Sequence, residues 1–203
     1  MMQSVRPTAR EPLVILVATA MLSALALAIY LLFEFPLLPT ATYLKMDFSD
    51  IPAIFGAVVF GPVCGVMVEL MKNLLEMMIR GLGSQMGFGN LQNFLVGCAY
   101  LLPFAACFNG FKKKNLSTTW RLILASLAGI VSMLVIGFFS NWAVAPLFFQ
   151  FFLNDPLGPG EALAAAWISV PFNLIKSLIL SVLMVPLLTL TLKPIRRILG
   201  GFR

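Results

Sequence analysis

The chain has 203 residues, 60% of them hydrophobic and only 11% charged, with a mean hydropathy of +0.97. Soluble domains carry roughly 45–50% apolar and 25% charged residues, so the composition predicts one all-α integral membrane domain over residues 1–203, with no room for a soluble enzyme beside it. The net charge of +6 comes from basic residues that flank apolar runs and form no surface patch, which sets nucleic acid aside and points to a lipid bilayer.

A polar leader with Arg6 and Arg10 precedes a first helix predicted over about 12–33. Its apolar run exceeds the roughly 7–15 residues of a signal-peptide core. Ala20, Ala24 and Ala28 recur every four residues and make one smooth stripe, the pattern that lets a second helix backbone come close. The stripe serves either a partner or packing within the same bundle. Two prolines in Glu34-Phe-Pro-Leu-Leu-Pro then stop the helix.

Residues Tyr43–Pro52 crowd Lys45, Asp47, Asp50 and a proline directly before the apolar run Ala53–Phe60. A chain this poor in charge rarely sets three beside hydrocarbon without a use for them. The stretch is read as a ligand-covering loop after helix 1, forming the lid and part of the wall of a small-molecule site.

Residues 51–80 form either one long span or two helices broken at Gly61-Pro62. Short cytoplasmic loops collect Lys and Arg. Two crossings put Lys112, Lys113 and Lys114 on the same side as Arg6, Arg10, Arg121, Lys193, Arg196, Arg197 and Arg203, ten of the 14 basic residues. The prediction is therefore a six-transmembrane-helix bundle with both termini cytoplasmic, the second and third helices covering about 50–60 and 63–80.

The third helix carries Glu69, Lys72, Glu76 and Arg80 at spacings that put all four on one face with alternating sign. Pairing is how a membrane protein tolerates ionisable groups, so this is read as a structural ladder facing the bundle interior. Gly81–Gly89 is an expected external loop. Helix four, about 90–111, opens with Asn90, Gln92 and Asn93; helix five, about 118–149, holds Trp120 and Trp142 near its two ends and Asn141 at the outer one. After the loop Asn154–Glu161, helix six runs over about 162–192 to the basic tail.

Pro171, Asn173 and Lys176 interrupt helix six, the last two on one face, with no acidic residue within reach on the same helix. A lysine in the membrane without a local partner marks a functional site unless Glu69 or Glu76 reaches it from helix three. Two carboxamides (Asn141, Asn173), an ammonium and the loop carboxylates around an apolar slot suit a neutral ring with alternating donors and acceptors better than an inorganic ion.

Leu44-x-Met46-Asp-Phe-Ser-Asp-Ile-Pro, Phe60-Gly-Pro, Lys72-Asn-Leu-Leu, Asn93-Phe-Leu-x-Gly and Pro171-Phe-Asn-Leu-Ile-Lys176 resemble the riboflavin-binding S component of energy-coupling factor transporters. The likeness runs over nearly the whole chain. It implies a vitamin-uptake subunit of the cell membrane, not an enzyme, that works with a transmembrane coupling protein and two cytoplasmic ATPases. It also implies that Ala20 and Ala24 dock on the coupling protein, and that Tyr43, Leu44, Lys45, Met46 and Asp47 cover the ligand. Asn93, Asn141, Asn173 and Lys176 would bind riboflavin. No cofactor is implied, and the resemblance leaves open whether the phosphorylated flavin, FMN, is also accepted. No GxxxxGK[ST] phosphate loop is present, so the energy for uptake would have to come from partners.

The rival readings are an S component for another vitamin such as thiamine, a self-sufficient facilitator, and a small metal-dependent membrane enzyme with Asp47 and Asp50 as ligands. Two carboxylates alone make a poor magnesium site. With no histidine and no CxxC among Cys64, Cys98 and Cys107, the chain offers little other metal chemistry.

Overall fold

The structure, a computed structural model, describes residues 10–37, 44–82, 87–111, 116–154 and 156–198. Helix α1 covers Arg10–Leu32 and gives way to a two-residue strand β1, Phe35–Pro36, paired antiparallel with β2, Lys45–Met46. Pro36 lacks an N–H for a helix but can sit at the margin of so short a ribbon. Helix α2, Asp50–Val59, and helix α3, Pro62–Arg80, form a hairpin that reverses at Gly61. Gly61 has φ +110°, a conformation glycine adopts without strain, and Pro62 opens α3 where its missing N–H would be unpaired in any case.

Helix α4 covers Phe88–Gly110. Helix α5, Thr118–Phe139, is capped by Ser117, whose hydroxyl accepts the Trp120 backbone N–H. It continues through a π-helical turn at Ser140–Val144, a short helix α6 at Ala145–Phe148 and a second π-helical turn at Phe149–Leu153, so that one rod reaches beyond the expected residue 149. Helix α7 runs from Pro159 to Ile198, starting before and ending after the predicted 162–192, and passes through Pro171, Pro186 and Pro194.

These segments make six helical rods, and four of them are long and apolar enough to cross a membrane. Helix α2 falls where the sequence places it, about 50–60, and its ten residues are fewer than the roughly 20 of a full crossing, so it is not one of those four. Helix α3 has the length, but its charged face keeps it from reading as an apolar span.

The interior is held by α4, which packs on α2, α3 and α5, while α1 lies against α2 and α3 and α7 against α5. Close approach of α2 and α3 depends on Gly65, where any Cβ would collide with Ala53 and Ala57. Along α4 the rings of Tyr100, Phe104 and Phe108 stack at 5.6 and 6.3 Å. At the end of this stack, buried Arg121 donates from Nε (2.9 Å) and Nη2 (2.6 Å) to the Phe108 carbonyl, with its guanidinium 4.2 Å from the Phe108 ring. A cation there answers the partial negative charge of a helix C-terminus.

Candidate functional site

At the other end of the bundle a cavity of about 620 Å³ opens where α1 and α3 finish and α4 begins, a size that suits a drug-sized ligand. Tyr30 of α1 and Glu34 just beyond its end close it on one side, and the strap of residues 44–49 forms one wall. Glu76 and Arg80 contribute from α3, and Phe88 through Val96 from α4. The far wall is Asn141, Ala145 and Phe149 from the fifth rod with Ala165 to Lys176 from α7.

The strap is a buried charged structure and not a solvated loop. Asp47 Oδ1 accepts the Ser49 backbone N–H at 2.8 Å and also the Ser49 hydroxyl. Lys72 Nζ donates to Ser49 Oγ at 2.8 Å, contacts Asp50 Oδ1, and lies 2.7 Å from Glu69 Oε1. Lys176 Nζ lies 3.0 Å from Asp50 Oδ2, 3.3 Å from Asp47 Oδ2 and 2.9 Å from Asn93 Oδ1. Three carboxylates and two ammoniums are thus interleaved with almost no solvent contact. Burial alone would push the Asp47 carboxyl up, but the ammoniums of Lys176 and Lys72 and the two Ser49 hydrogen bonds outweigh it and hold the group down at about 2.

This network corrects the expectation that Lys176 lacks a partner. Its partners are Asp47 of the strap and Asp50 at the start of α2, not Glu69 or Glu76 of α3, and Asp47 reaches it from 129 positions away in sequence. The ladder on α3 does face inward. Glu69, Lys72 and Glu76 are buried, whereas Arg80 emerges at the mouth, 3.5 Å from Glu76 and in contact with Glu34.

Leu44, Lys45, Asp47, Asn93, Asn141, Asn173 and Lys176 all line the cavity. Met46 is fully buried and does not line it, and Tyr43 lies outside the described residues. The π-helical turn sets the far wall. Asn141 Nδ2 donates to the Gly137 carbonyl at 2.9 Å, while the neighbouring hydroxyls give their single hydrogens to nearer acceptors, Ser140 to Gln92 Oε1 at 2.5 Å and Ser169 to the Ala166 carbonyl at 2.7 Å. The Asn173 carboxamide packs directly on the Cα of Gly137, in the space a side chain would need. Ala20, Ala24 and Ala28 are exposed on α1, on the face that also carries Leu16, Met21 and Leu25.

Sequence reasoning passed over Tyr30, Glu34, Gln92, Ser140 and Ser169 as site residues. Glu34, in the sequence part of a helix stop, joins Lys45 (3.2 Å) to Arg80 across the mouth. The amide run Asn90, Gln92, Asn93 at the start of α4 was the available signal for Gln92. The metal reading fails on charge: Asp47 and Asp50 are already engaged by ammoniums, and among the described residues no group of three or more His, Cys, Asp or Glu is arranged to hold a metal ion.

A bundle with a vitamin-sized cavity at one end, walled by amides and a buried charge network, describes a substrate-capture subunit. The profile of the family "ECF transporter, substrate-specific component" matches residues 15–188, and the chain belongs to that family, whose members are transport proteins and not enzymes. It is 35% identical over 182 residues to "Riboflavin transporter FmnP" of Bacillus subtilis (strain 168), covering 88% of this chain and 92% of that protein. It is 33% identical over 172 residues to "Riboflavin transporter RibU" of Staphylococcus aureus (strain TCH60), covering 84% and 86% respectively. Among solved structures it is similar to the one described as "Structure and mechanism of the S component of a bacterial ECF transporter". That match has a TM-score of 0.66 and 27% identity, over 90% of this chain and 97% of the other.

Proposed function

We propose that the protein is a multi-pass subunit of the cell membrane that captures riboflavin from the external side. It then delivers the vitamin by associating with a transmembrane coupling protein and two cytoplasmic ATPases. The observation that carries the reading is the cavity itself. Two carboxamides, Asn141 and Asn173, face an apolar slot edged by Val96, Phe149 and Phe172, while Glu34, Lys45 and Arg80 ring its mouth. A flavin has a flat tricyclic ring for the slot, a pyrimidine edge of alternating donors and acceptors for the amides, and a hydroxylated tail for the mouth. Riboflavin transporters among the relatives, FmnP and RibU, favour this vitamin over thiamine.

The buried strap acts as the inner cover of the site, and Lys176 with Asp47 and Asp50 fixes its position. The exposed alanine stripe of α1, Ala20, Ala24 and Ala28, offers the coupling protein a smooth face for close helix packing. Both termini lie in the cytoplasm, as the distribution of Lys and Arg favours.

Absorption spectroscopy of the detergent-purified chain tests the reading: a flavin band that co-purifies, or appears on adding riboflavin and not thiamine, is expected. Purified protein that neither carries nor takes up riboflavin would defeat it. Vesicles holding this chain alone should fail to accumulate riboflavin, and adding the coupling module should restore uptake.

A further inference from the structure

Among the described residues six buried side-chain polar atoms lack a hydrogen-bond partner, and two of these are amide nitrogens, Gln92 Nε2 and Asn93 Nδ2. The two residues are neighbours near the start of α4, and both line the cavity. Their oxygens are already engaged. Lys176 Nζ donates to Asn93 Oδ1 at 2.9 Å, and since an ammonium can only donate, this contact fixes which end of the Asn93 amide is turned away from it. The Ser140 hydroxyl bonds Gln92 Oε1 from the π-helical turn opposite.

Each side chain is therefore held by its acceptor, with its NH2 group unpaired and shut off from solvent. A buried donor left without a partner costs about 1–3 kcal/mol, and folded proteins keep few of them. Lys176 does not present a free donor beside them. It hydrogen-bonds Asp47 and Asn93 and is ion-paired with Asp50 Oδ2 at 3.0 Å, so its charge is turned to the strap and α2.

We infer that Gln92 and Asn93 form a donor pair that reads two neighbouring acceptor atoms on the ring of the bound ligand, with Lys176 acting as the positioning residue for Asn93. The inference rests on the cavity being the riboflavin site. The isoalloxazine ring offers two such acceptor pairs, each a bare ring nitrogen with a carbonyl oxygen beside it: N1 with the C2 carbonyl and N5 with the C4 carbonyl. The charged, partly exposed mouth at Glu34, Lys45 and Arg80 suits the hydroxylated tail, which leaves an acceptor edge of the ring for the shielded amides.

The test is calorimetric titration with riboflavin, 1-deazariboflavin and 5-deazariboflavin, the analogues each replacing one ring acceptor by C–H. The proteins are the parent chain, Gln92→Met, Asn93→Asp and Asn173→Ala; Asn93→Asp keeps an acceptor for Lys176 while removing the donor. Thermal unfolding of each ligand-free protein is recorded alongside. One analogue should bind the parent about tenfold more weakly than riboflavin. Gln92→Met and Asn93→Asp should each lose about tenfold for riboflavin, and one of them should bind that analogue and riboflavin equally. The ligand-free unfolding temperature of Gln92→Met should stay near that of the parent. The donor pair is overturned if neither analogue differs from riboflavin on the parent, or if a variant weakens all three flavins by the same factor. It is also overturned if both α4 variants bind riboflavin normally while Asn173→Ala does not, a result that leaves the cavity reading standing. Normal riboflavin binding by all three variants would remove the cavity reading itself.

Discussion

The two ends of the bundle solve opposite problems with the same helices. At the closed end, the Tyr100–Phe104–Phe108 stack fills the interior along α4, and Arg121, the one buried charge there among the described residues, donates to the Phe108 carbonyl. At the open end, six buried charged groups (Asp47, Asp50, Glu69, Lys72, Glu76 and Lys176) and several amides occupy comparable depth, regular helix is replaced by an extended strap and π-helical turns, and a cavity of about 620 Å³ remains. Packing maximises contact at one end; at the other, polarity is held in place for something to bind. The comparison teaches that stability and recognition are spatially divided, so substitutions at the two ends should separate in their readouts.

The largest effect is expected at Lys72. Its ammonium sits between Asp50 and Glu69 with no solvent exposure, so Lys72→Met strips buried Glu69 of its cation and leaves Asp50 with Lys176 alone. Breaking such a pair costs about 3–5 kcal/mol, and thermal unfolding in detergent should show a collapse in stability. Adding Glu69→Gln to Lys72→Met should recover part of the loss, because the stranded charge is gone. If Lys72→Met unfolds at the parent temperature, the open end is not held together by its charges.

How much of this was legible beforehand follows the range of each interaction. The α3 ladder could be read from spacing alone, since Glu69, Lys72, Glu76 and Arg80 are neighbours on one helix face. Asn141, Asn173 and Lys176 stood out because polar side chains interrupt apolar runs. The partners of Lys176 could not be read, because they arrive on the strap and the start of α2, Asp47 from 129 positions away, and only folding decides whether these or the α3 carboxylates reach it. The π-helical turns left little local trace beyond a serine and an asparagine ahead of Pro146. Without them neither the Ser140–Gln92 contact nor the length of the fifth rod could be anticipated. The shortness of α2 was legible, since Gly61-Pro62 and the charged stretch before Ile51 bound it in the sequence.

Next in size is Asn173→Ala. The carboxamide packs on Gly137 and, among the described residues, hydrogen-bonds no other side chain, so its removal should weaken riboflavin binding by more than tenfold, about 1.4 kcal/mol. The ligand-free unfolding temperature should barely move. Gly137→Ala should reproduce the loss through displacement of Asn173. Lys176→Ala sharpens the contrast, because it removes the ammonium paired with buried Asp47 and one of the two that face Asp50, and should therefore lower both affinity and stability. A flavin-fluorescence titration paired with thermal unfolding separates the two patterns, and equal stability losses for Asn173→Ala and Lys176→Ala would erase the distinction between reader and brace.

At the closed end, Phe104→Leu keeps an apolar side chain but loses ring stacking with both neighbours. Aromatic pairs add about 0.5–1.5 kcal/mol beyond their area, so unfolding should come a few degrees earlier while riboflavin affinity stays at the parent value. A tenfold change in affinity here would mean that the two ends are coupled through α4 and that the spatial division does not hold.

The smallest effect belongs to Glu34→Gln. Glu34 contacts both Lys45 on the strap and Arg80 at the end of α3, but both cations are partly exposed, and such pairs contribute about 0.2–1 kcal/mol each. The change in unfolding temperature should therefore be slight and should shrink further in high salt, which screens exposed charges while leaving buried ones largely alone. Its value is diagnostic. The Glu34 clasp ties the strap to α3 at the mouth, whereas Asp47 and Asp50 tie it down inside, and only the outer tie is within reach of salt. If the strap's hold on the site comes from the inner network, riboflavin affinity in Glu34→Gln will stay within about twofold of the parent at every ionic strength, and the parent itself will be insensitive to salt. A parent whose affinity falls in high salt, matched by a salt-insensitive Glu34→Gln, would move the anchoring of the strap from the buried cluster to the mouth.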